Sequence, residues 1–241
     1  MEEPLQIRVG DTDVAITMRT PGHDRELAAG FLFAEGLIQS PEQIQSITCD
    51  ERGGVTVALP EGMAINAGPR NFYMTSSCGV CGKASIDSLT EALQACDRAS
   101  LDLNEPTVSA EVLFALPEKL RAAQPIFEHT GGLHGAGLFT ASGELVAIRE
   151  DVGRHNAVDK LIGNAFLDKR LPLSQNILLL SGRVSFELVQ KAVMAGIPII
   201  VAVGAPSSLA VQTALRFGIT LVGFVRDGRG NIYTGAERIP S

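Results

Sequence analysis

The chain lacks several residue types and patterns that would point to particular classes of protein. It has no tryptophan, only 5% aromatic residues and four cysteines in 241 residues. So few aromatic rings argue against a base-stacking surface, and a net charge of −7 argues against general nucleic-acid binding. No apolar run approaches the roughly 18 residues that span a bilayer, and the start Met1-Glu2-Glu3-Pro4 does not resemble a secretion signal. We therefore expect a cytoplasmic protein without a disulfide framework, which binds neither membrane nor nucleic acid.

The composition suits a folded protein, because 45% hydrophobic and 20% charged residues can form a buried core. We predict a smaller α+β domain over residues 1–121, which carries a cysteine loop at 71–83. Its expected elements, in order, are a hairpin at 5–18 with a turn at Gly10-Asp11, a helix between Pro21-Gly22 and Ser40-Pro41, and a second hairpin at 44–59.

After Pro125 the chain changes character, since strand-like runs alternate with helical runs. The expected elements are strands around Phe139 and Val146, a helix at 155–167, strands at 177–180, 197–203 and 219–225, and helices at 186–195 and 207–217. Apolar runs such as Ile197–Val201 suit strands buried on both faces of a mainly parallel sheet. We therefore predict an α/β domain over residues 122–241 with a ligand site at the carboxyl ends of its strands.

Two of the four cysteines lie in Ser77-Cys78-Gly79-Val80-Cys81-Gly82-Lys83, just before a helical run. The N-terminus of that helix and the following lysine would favour thiolate over thiol, so the motif favours sulfur chemistry. Three alternatives stay open: a zinc site completed by His129 and His134, a thioredoxin-like dithiol, and a buried structural pair. The remaining cysteines, Cys49 and Cys96, are expected to be bystanders.

Two histidines flank a glycine pair in the segment Glu128-His129-Thr130-Gly131-Gly132-Leu133-His134. Glycines let the backbone approach a ligand, and an imidazole can move a proton near pH 7, as sulfur transfer would require. The alternative is a tight turn whose histidines only hydrogen-bond to the backbone.

Charged residues directly follow two of the predicted strands. Glu150-Asp151-Val152-Gly153-Arg154 precedes a helix, and Ser181-Gly182-Arg183 follows the next strand. Helix N-termini bind anions and an arginine can hold a phosphate with two hydrogen bonds, so Arg154 and Arg183 are candidate anion-binding residues. The structural alternative is that Asp151 caps the helix and Arg154 pairs with Glu150.

The segment Phe224-Val225-Arg226-Asp227-Gly228-Arg229 follows the last long strand. Phe224 could stack on a base, Asp227 could accept hydrogen bonds from guanine, and the arginines could bind phosphates. Because Asp-Gly is a strong hairpin signal, the local sequence alone favours a plain turn.

Together these motifs resemble the FdhD/NarQ family, the formate dehydrogenase accessory sulfurtransferases. The segments that carry the resemblance are Ser76–Lys83, His129–His134, Glu150–Lys160 and Ser181–Arg183. The likeness starts at Glu3-Pro4-Leu5, continues through Met18–Gly22 and covers nearly the whole chain. Each motif is weak individually, but their order and spacing together are specific.

The resemblance implies an activity. The protein would accept sulfur from a cysteine desulfurase as a persulfide and deliver it to the molybdenum, or tungsten, of bis(molybdopterin guanine dinucleotide) for the catalytic subunit of formate dehydrogenase. It also implies a three-layer, cytidine deaminase-like C-terminal domain, a homodimer, and binding of the dinucleotide, or of a mimic such as GDP, through residues 224–229. Deaminase chemistry is not implied, because the chain lacks the H-x-E and P-C-x-x-C zinc pattern in the required order.

Cys78 and Cys81 are the expected catalytic residues. The Cys78 thiolate would attack the donor persulfide; Cys81 could then form a disulfide with Cys78 and release hydrosulfide, or Cys78 could transfer the sulfur directly. No resident metal is expected. The residues expected to bind the dinucleotide are His129, His134, Arg154, Arg183, Phe224, Val225, Arg226, Asp227, Gly228 and Arg229. The competing functional classes are a CxxC dithiol oxidoreductase and a zinc-stabilised binding module.

Overall fold

The computed structural model describes residues 1–50, 53–63, 72–74 and 105–240. The predicted helix after the cysteine loop, with Cys96, and the two motif cysteines, Cys78 and Cys81, lie outside these residues. The described residues form two compact units. The first contains residues up to 74 together with 151–170, and the second contains 105–150 and 171–240.

These units differ from the continuous segments 1–121 and 122–241 that the sequence predicted. A helix at Ala110–Ala122 belongs to the second unit, because Leu113, Leu116 and Leu120 on it pack into the core of that unit's sheet. The helix at Arg154–Leu167 belongs to the first unit, where it packs against the N-terminal helix. The first unit is therefore built from two separate stretches of chain.

The first unit contains a five-stranded sheet in the order β3-β4-β1-β2-β5. Its strands are β1 (Glu3–Val9), β2 (Thr12–Arg19), β3 (Ser46–Cys49), β4 (Gly54–Ala58) and β5 (Phe72–Met74). Both predicted hairpins are confirmed, since β1 pairs with β2 and β3 pairs with β4 in antiparallel fashion. Gly10, at a φ of 55°, supplies the left-handed residue that the first turn requires.

Two helices of the first unit, α1 (Asp24–Ala34) and α4 (Arg154–Leu167), cross with their backbones in contact. A Cβ on Gly30 would lie 1.9 Å from the carbonyl oxygen of Asp159, and one on Gly163 would lie 1.9 Å from that of Glu26. Only glycine fits at either position. Beside this crossing the rings of Phe33 and Phe166 pack together, with their centroids 5.0 Å apart.

Helix α1 ends earlier than the sequence predicted. The last helical residue is Ala34, because Gly36 adopts a left-handed φ of 71° and turns the chain. Ser40 and Pro41, which were expected to end α1, begin a separate short 3₁₀ helix at Pro41–Gln43.

The second unit contains a six-stranded sheet in the order β11-β10-β9-β8-β6-β7. Its strands are β6 (His134–Thr140), β7 (Leu145–Asp151), β8 (Asn176–Leu180), β9 (Ile199–Ala202), β10 (Thr220–Arg226) and β11 (Arg229–Thr234). Its helices are α2 (Ala110–Ala122), α3 (Pro125–Thr130), α5 (Phe186–Ala195) and α6 (Ser208–Arg216), and a 3₁₀ helix follows at Ala236–Arg238.

The predicted α/β fold class is confirmed, and parallel pairing is confined to the centre of the sheet. Strands β8, β9 and β10 are parallel, whereas β6 and β11 pair with them in antiparallel fashion. Leu179, Val201 and Val222 face α2, and their neighbours Leu178 and Ile200 are fully buried as well. Both faces of the central strands are therefore covered, as the continuous apolar runs indicated. The cytidine deaminase-like topology stays a prediction.

Candidate functional site

The three parallel strands of the second unit stay paired beyond the carboxyl ends of β8 and β9. The N–H of Gly204, after β9, donates to the carbonyl of Gly182, after β8, at 3.1 Å. In the same way the N–H of Phe224 donates to the carbonyl of Gly204 at 3.2 Å. Gly182, Gly204 and Phe224 therefore form one continuous row at the edge of the sheet where ligands bind in open α/β folds. We call this row the carboxyl edge.

The two predicted motifs around His134 and Ser181 meet at this edge. Gly135 and Ser181 bond to each other twice, since the Gly135 N–H donates to Ser181 Oγ at 2.8 Å and the Ser181 N–H donates to the Gly135 carbonyl at 3.0 Å. In the antiparallel register of β6 and β8, this places His134 opposite Gly182. A Cβ on Gly182 would lie 3.1 Å from His134 Nδ1, so the imidazole fills the space that a side chain at 182 would need.

His129 occupies a different setting from His134. It lies on α3, exposed to solvent, and its Nδ1 is 2.7 Å from the carbonyl of Pro125 in the same helix. The helix is held by Glu150, whose carboxylate accepts hydrogen bonds from the N–H groups of Ile126 and Phe127. Helix N-termini favour such an acidic partner. For His129 the structure thus matches the alternative in which the histidine bonds to the backbone.

Phe224 is the most unusual residue of the carboxyl edge. A β-bulge places Phe224 and Val225 of β10 opposite the single residue Gly230 of β11. Phe224 takes a left-handed φ of 56°, which costs a residue with a Cβ about 1–3 kcal/mol. Phe224 is 42% exposed, while Val225 is fully buried in the core. The bulge therefore turns the side chain of Phe224 toward solvent. Because the side chain of Val225 is buried, only its backbone could contact a ligand.

The segment after Phe224 is the hairpin that the local sequence favoured. Arg226 pairs with Arg229 across a two-residue turn, in which Asp227 and Gly228 both have positive φ, at 53° and 71°. An open concavity of about 350 Å³ lies here. Its lining residues are Phe224, Arg226, Arg229, Gly230 and Asn231.

Three exposed arginines of the second unit, Arg183, Arg226 and Arg229, form no ion pair with another described residue. Arg183 follows β8 at the carboxyl edge, and the other two flank the hairpin turn. In a chain with a net charge of −7, such cations favour an anionic ligand locally.

Arg154 belongs to the first unit, where it is half-buried in the first turn of α4. The residues around it build a buried network rather than an exposed anion site. Asp151 and Lys160, exposed by no more than 1%, form an ion pair at 2.6 Å, and Lys160 also donates to the Thr20 carbonyl at 2.8 Å. Asp151 further accepts from the N–H groups of Thr20 and Gly153 and from Asn156 Nδ2. Much of the charge in this motif is therefore structural.

Cys49 lies among the residues that the structure describes, whereas the predicted catalytic pair, Cys78 and Cys81, lies outside them. Cys49 is exposed at the end of β3. Partial burial, followed by the carboxylate of Asp24, raises the pKa of its thiol, so it is less reactive than an ordinary cysteine. This agrees with its predicted role as a bystander.

Over the described ranges, no three acidic, histidine or cysteine side chains cluster in a way that could hold a metal ion. None of the helices described is both long and apolar enough to cross a bilayer.

Sequence reasoning missed three positions of the site. Gly204 follows β9 within Gly204-Ala205-Pro206-Ser207, and a glycine between an apolar strand and a capping serine could have indicated a strand-to-helix junction like the one at Gly182. Gly230 and Asn231 had no such signal, because the bulge that brings them beside Phe224 depends on the pairing of two strands.

The fold and the site together define an α/β protein with exposed arginines and one exposed aromatic residue at the carboxyl ends of its parallel strands, where proteins of this class bind ligands. Comparisons with known proteins then identify the family. The family model for FdhD/NarQ matches residues 1–240, and the chain belongs to this family.

Similar proteins extend over almost the whole chain. The "Sulfur carrier protein FdhD" of Mycolicibacterium paratuberculosis is 54% identical over 250 residues, covering 99% of this chain and 90% of that protein. The protein of the same name from Sulfolobus acidocaldarius is 47% identical over 239 residues, with the same two shares covered. A crystal structure described as a formate dehydrogenase accessory protein, from Desulfotalea psychrophila, is 29% identical, has a TM-score of 0.77 and covers 100% of this chain and 90% of its own.

Proposed function

We propose that this protein is a sulfurtransferase that carries persulfide sulfur for the maturation of formate dehydrogenase. It takes the sulfur from a cysteine desulfurase and gives it to the molybdenum or tungsten of bis(molybdopterin guanine dinucleotide), which is its substrate. Family membership and relatives named as sulfur carriers support the first half. The cysteine pair Cys78 and Cys81 supplies the chemistry.

One observation carries the second half, the binding of a guanine dinucleotide. The bulge in β10 exposes the ring of Phe224 at a cost in backbone strain, and strained, outward-facing residues of this kind are typical of binding sites. The ring is available for stacking on a base. Arg226 and Arg229 line the same concavity and can bind phosphates, while Asp227 in the turn can accept hydrogen bonds from guanine.

Loading of the carrier is an exchange between two thiols. The Cys78 thiolate attacks the outer sulfur of the desulfurase persulfide, the S–S bond of the donor breaks, and the donor cysteine leaves as thiolate. Cys78 then holds the persulfide, and no net oxidation or reduction has occurred.

Unloading can follow two balanced routes. If Cys81 attacks the inner sulfur, a Cys78–Cys81 disulfide forms and hydrosulfide leaves toward the metal, so a dithiol reductant must restore the pair after each turnover. If Cys78 persulfide transfers its outer sulfur directly as sulfane sulfur, the Cys78 thiolate returns without an external reductant, because the receiving metal supplies the two electrons that convert this sulfur to sulfide. A requirement for reductant during repeated turnover separates the routes.

The first test is intact-protein mass spectrometry after incubation with a cysteine desulfurase and cysteine. We expect the wild type to gain the mass of one sulfur, reversibly with reductant, and Cys78→Ala to gain none. Cys49→Ser is the matched control, because the raised pKa of its exposed thiol disfavours the thiolate, and this variant should load like the wild type.

Other outcomes would contradict the proposal. Loading of Cys78→Ala equal to that of the wild type would place the sulfur elsewhere. A wild type that gains no sulfur but keeps about one zinc ion per chain would be a zinc-stabilised module. A wild type that gains no sulfur and reduces insulin would be a dithiol oxidoreductase.

The remaining parts of the proposal concern partners. A cytoplasmic homodimer that meets the desulfurase and the catalytic subunit of formate dehydrogenase in turn would suit a carrier. Light scattering of the purified protein tests the dimer, and a strain carrying Cys78→Ala, which should lack formate dehydrogenase activity, tests the pathway.

A further inference from the structure

Asn231 is an exposed polar residue in the middle of strand β11. Asparagine is depleted in strands, so its presence here calls for a local reason. Its amide forms no hydrogen bond with another described residue. It lines the same concavity as Phe224, Arg226 and Arg229. An amide donor and an amide acceptor are therefore available to a ligand in this concavity.

The direction of the Asn231 side chain follows from that of Gly230. A Cβ on Gly230 would lie 2.9 Å from Val225 Cγ2 and 3.1 Å from Phe114 Cε1, so position 230 faces the core beneath α2. Successive residues of a strand point to opposite faces of the sheet. Asn231 therefore points away from α2 and out of the core.

The neighbouring strand restricts the space around Asn231 on one side. Asn231 pairs with Gly223 of β10. The place of a side chain at Gly223 is taken by Tyr233 and Pro206, whose Cε2 and Cδ would lie 3.1 and 2.9 Å from the new Cβ. These two groups fill the space beside Asn231 on the side of β10. The side that stays open is that of the concavity.

The distance between Asn231 and Phe224 is short. Opposite residues of an antiparallel pair have Cα atoms about 4.5–5.5 Å apart, and consecutive Cα atoms are about 3.8 Å apart. Because Phe224 follows Gly223 directly, its Cα lies no more than about 9 Å from that of Asn231. A base that stacks on the Phe224 ring therefore has Asn231 beside its edge, on a strand held in place by the ladder.

The groups already assigned to the base do not provide every contact that guanine needs. Guanine carries the acceptor O6 where adenine carries an amino group, so a donor to O6 favours guanine over adenine. The ring of Phe224 offers no such donor, and the Asp227 carboxylate only accepts hydrogen bonds. The guanidinium groups of Arg226 and Arg229 are suited to the phosphates. Asn231 is the remaining polar side chain of the concavity.

We infer that Asn231 is a specificity-determining residue, which donates a hydrogen bond from Nδ2 to O6 of a guanine stacked on Phe224. This inference rests on the proposed function, since it adds discrimination between bases to the proposed nucleotide site. Asp227 then accepts from the N1–H and the 2-amino group of the same base.

Two substitutions of similar size test the chemistry of the amide. Asn231→Asp keeps an acceptor and removes the donor, and Asn231→Leu removes both. Titration calorimetry of the full-length protein compares GDP with the diphosphate of 2,6-diaminopurine riboside, which has an amino group in place of O6. We expect Asn231→Asp to weaken GDP binding about tenfold or more and not to weaken binding of the diaminopurine nucleotide. Asn231→Leu should weaken both, because a rotated wild-type amide can also accept from the 6-amino group.

Three controls accompany these variants. Gln212→Glu adds the same negative charge at an exposed amide of α6 and should leave both affinities unchanged. Arg226→Leu and Arg229→Leu remove cations expected to bind phosphate, so they should weaken both nucleotides alike. Inosine diphosphate has O6 but no 2-amino group, and in Asn231→Asp it should lose as much affinity as GDP does.

The outcomes separate this inference from the proposed function. If GDP binds and Asn231→Asp changes both affinities by the same factor, or changes neither, Asn231 does not recognise O6. If Arg226→Leu or Arg229→Leu changes the ratio of the two affinities instead, an arginine is the donor and the assignment of Asn231 is wrong. If the wild type binds neither nucleotide, the nucleotide site and the contact fail together. The persulfide experiment on Cys78 is independent of all these results.

Discussion

The buried ion pair between Asp151 and Lys160 offers a quantitative test of how the first unit is held together. Both side chains are almost fully enclosed, with Nζ and Oδ2 2.6 Å apart. Asp151 has three further donors, at 2.8 to 3.1 Å, whereas Lys160 has one further described acceptor, the Thr20 carbonyl. The two partners should therefore respond unequally to the loss of the other.

Breaking a buried pair by removing one member typically costs about 3–5 kcal/mol, because the other charge is left uncompensated. Lys160→Met leaves the Asp151 carboxylate with three donors, so we expect the lower end, about 3 kcal/mol. Asp151→Ala leaves the Lys160 ammonium with only the carbonyl of Thr20 as described acceptor, so we expect the upper end, about 5 kcal/mol. The double variant should cost clearly less than the sum of the two.

The assay must follow each unit separately and without tryptophan fluorescence, since the chain has no tryptophan. Hydrogen exchange with mass spectrometry, read on peptides from β2 and α4, reports the opening free energy of the first unit. Far-UV circular dichroism during thermal unfolding should show a fall in Tm of about 6–12 °C for Lys160→Met. Lys169→Met, which removes an exposed lysine from the same unit, is the matched control and should change exchange in these peptides very little.

Two results would refute this reasoning. If both single variants changed the opening free energy by less than about 1 kcal/mol, the pair would be behaving like a surface salt bridge. If Lys160→Met lowered the opening free energy more than the substitution of Asp151 does, the number of remaining hydrogen-bond partners would not determine the loss of stability.

Two further predictions concern the first unit. Gly30→Ala should destabilise it by about 3 kcal/mol or more, measured by the same exchange experiment, because its Cβ would lie 1.9 Å from the Asp159 carbonyl oxygen, whereas C···O contacts need about 3.3–3.6 Å. A cost within about 0.5 kcal/mol, as for an ordinary surface substitution, would show that the helices separate freely. The hydrogen bond from Lys169 lowers the pKa of Glu42 from 4.5 to about 2, and hydrogen bonds from the local backbone and from Ser40 contribute less. The ionised Glu42 therefore stabilises the folded state above about pH 4.5, and this stabilisation is lost as the pH falls toward 2. Carboxyl NMR titration should find this low pKa in the wild type and a rise toward the ordinary value in Lys169→Met; the same low pKa in both would rule out the lysine as its main cause.

The elements that could be predicted are those whose signals are local. Apolar alternation around Gly10 gave the first hairpin, and the runs at 177–180 and 219–225 gave buried strands whose observed bounds differ by one residue at most at each end. The hairpin after Phe224 likewise followed from the Asp-Gly dipeptide, because a two-residue turn with positive φ favours those residues.

The features that escaped prediction depend on residues far apart in the chain. Gly30 and Gly163 look like ordinary helix-weakening residues until the two helices cross, and the crossing is what takes 154–167 out of the predicted C-terminal domain. Glu150 was considered only as an ion-pair partner of Arg154, yet its carboxylate holds α3 through backbone N–H groups. The bulge at Phe224 is a mismatch between two strands, which no single strand encodes.

The two-part construction of the first unit matters when the chain is made on a ribosome. Helix α1 is complete at Ala34, but its partner α4 is complete only at Leu167. At about 5–20 residues per second, the intervening residues take roughly 7 to 27 s to synthesise. During that interval Leu27, Phe31 and Phe33, which are at most 2% exposed in the folded protein, have no α4 to pack against in the nascent chain. An early stop before residue 154 would therefore yield a fragment that cannot complete the core of the first unit and leaves these apolar side chains exposed to aggregation.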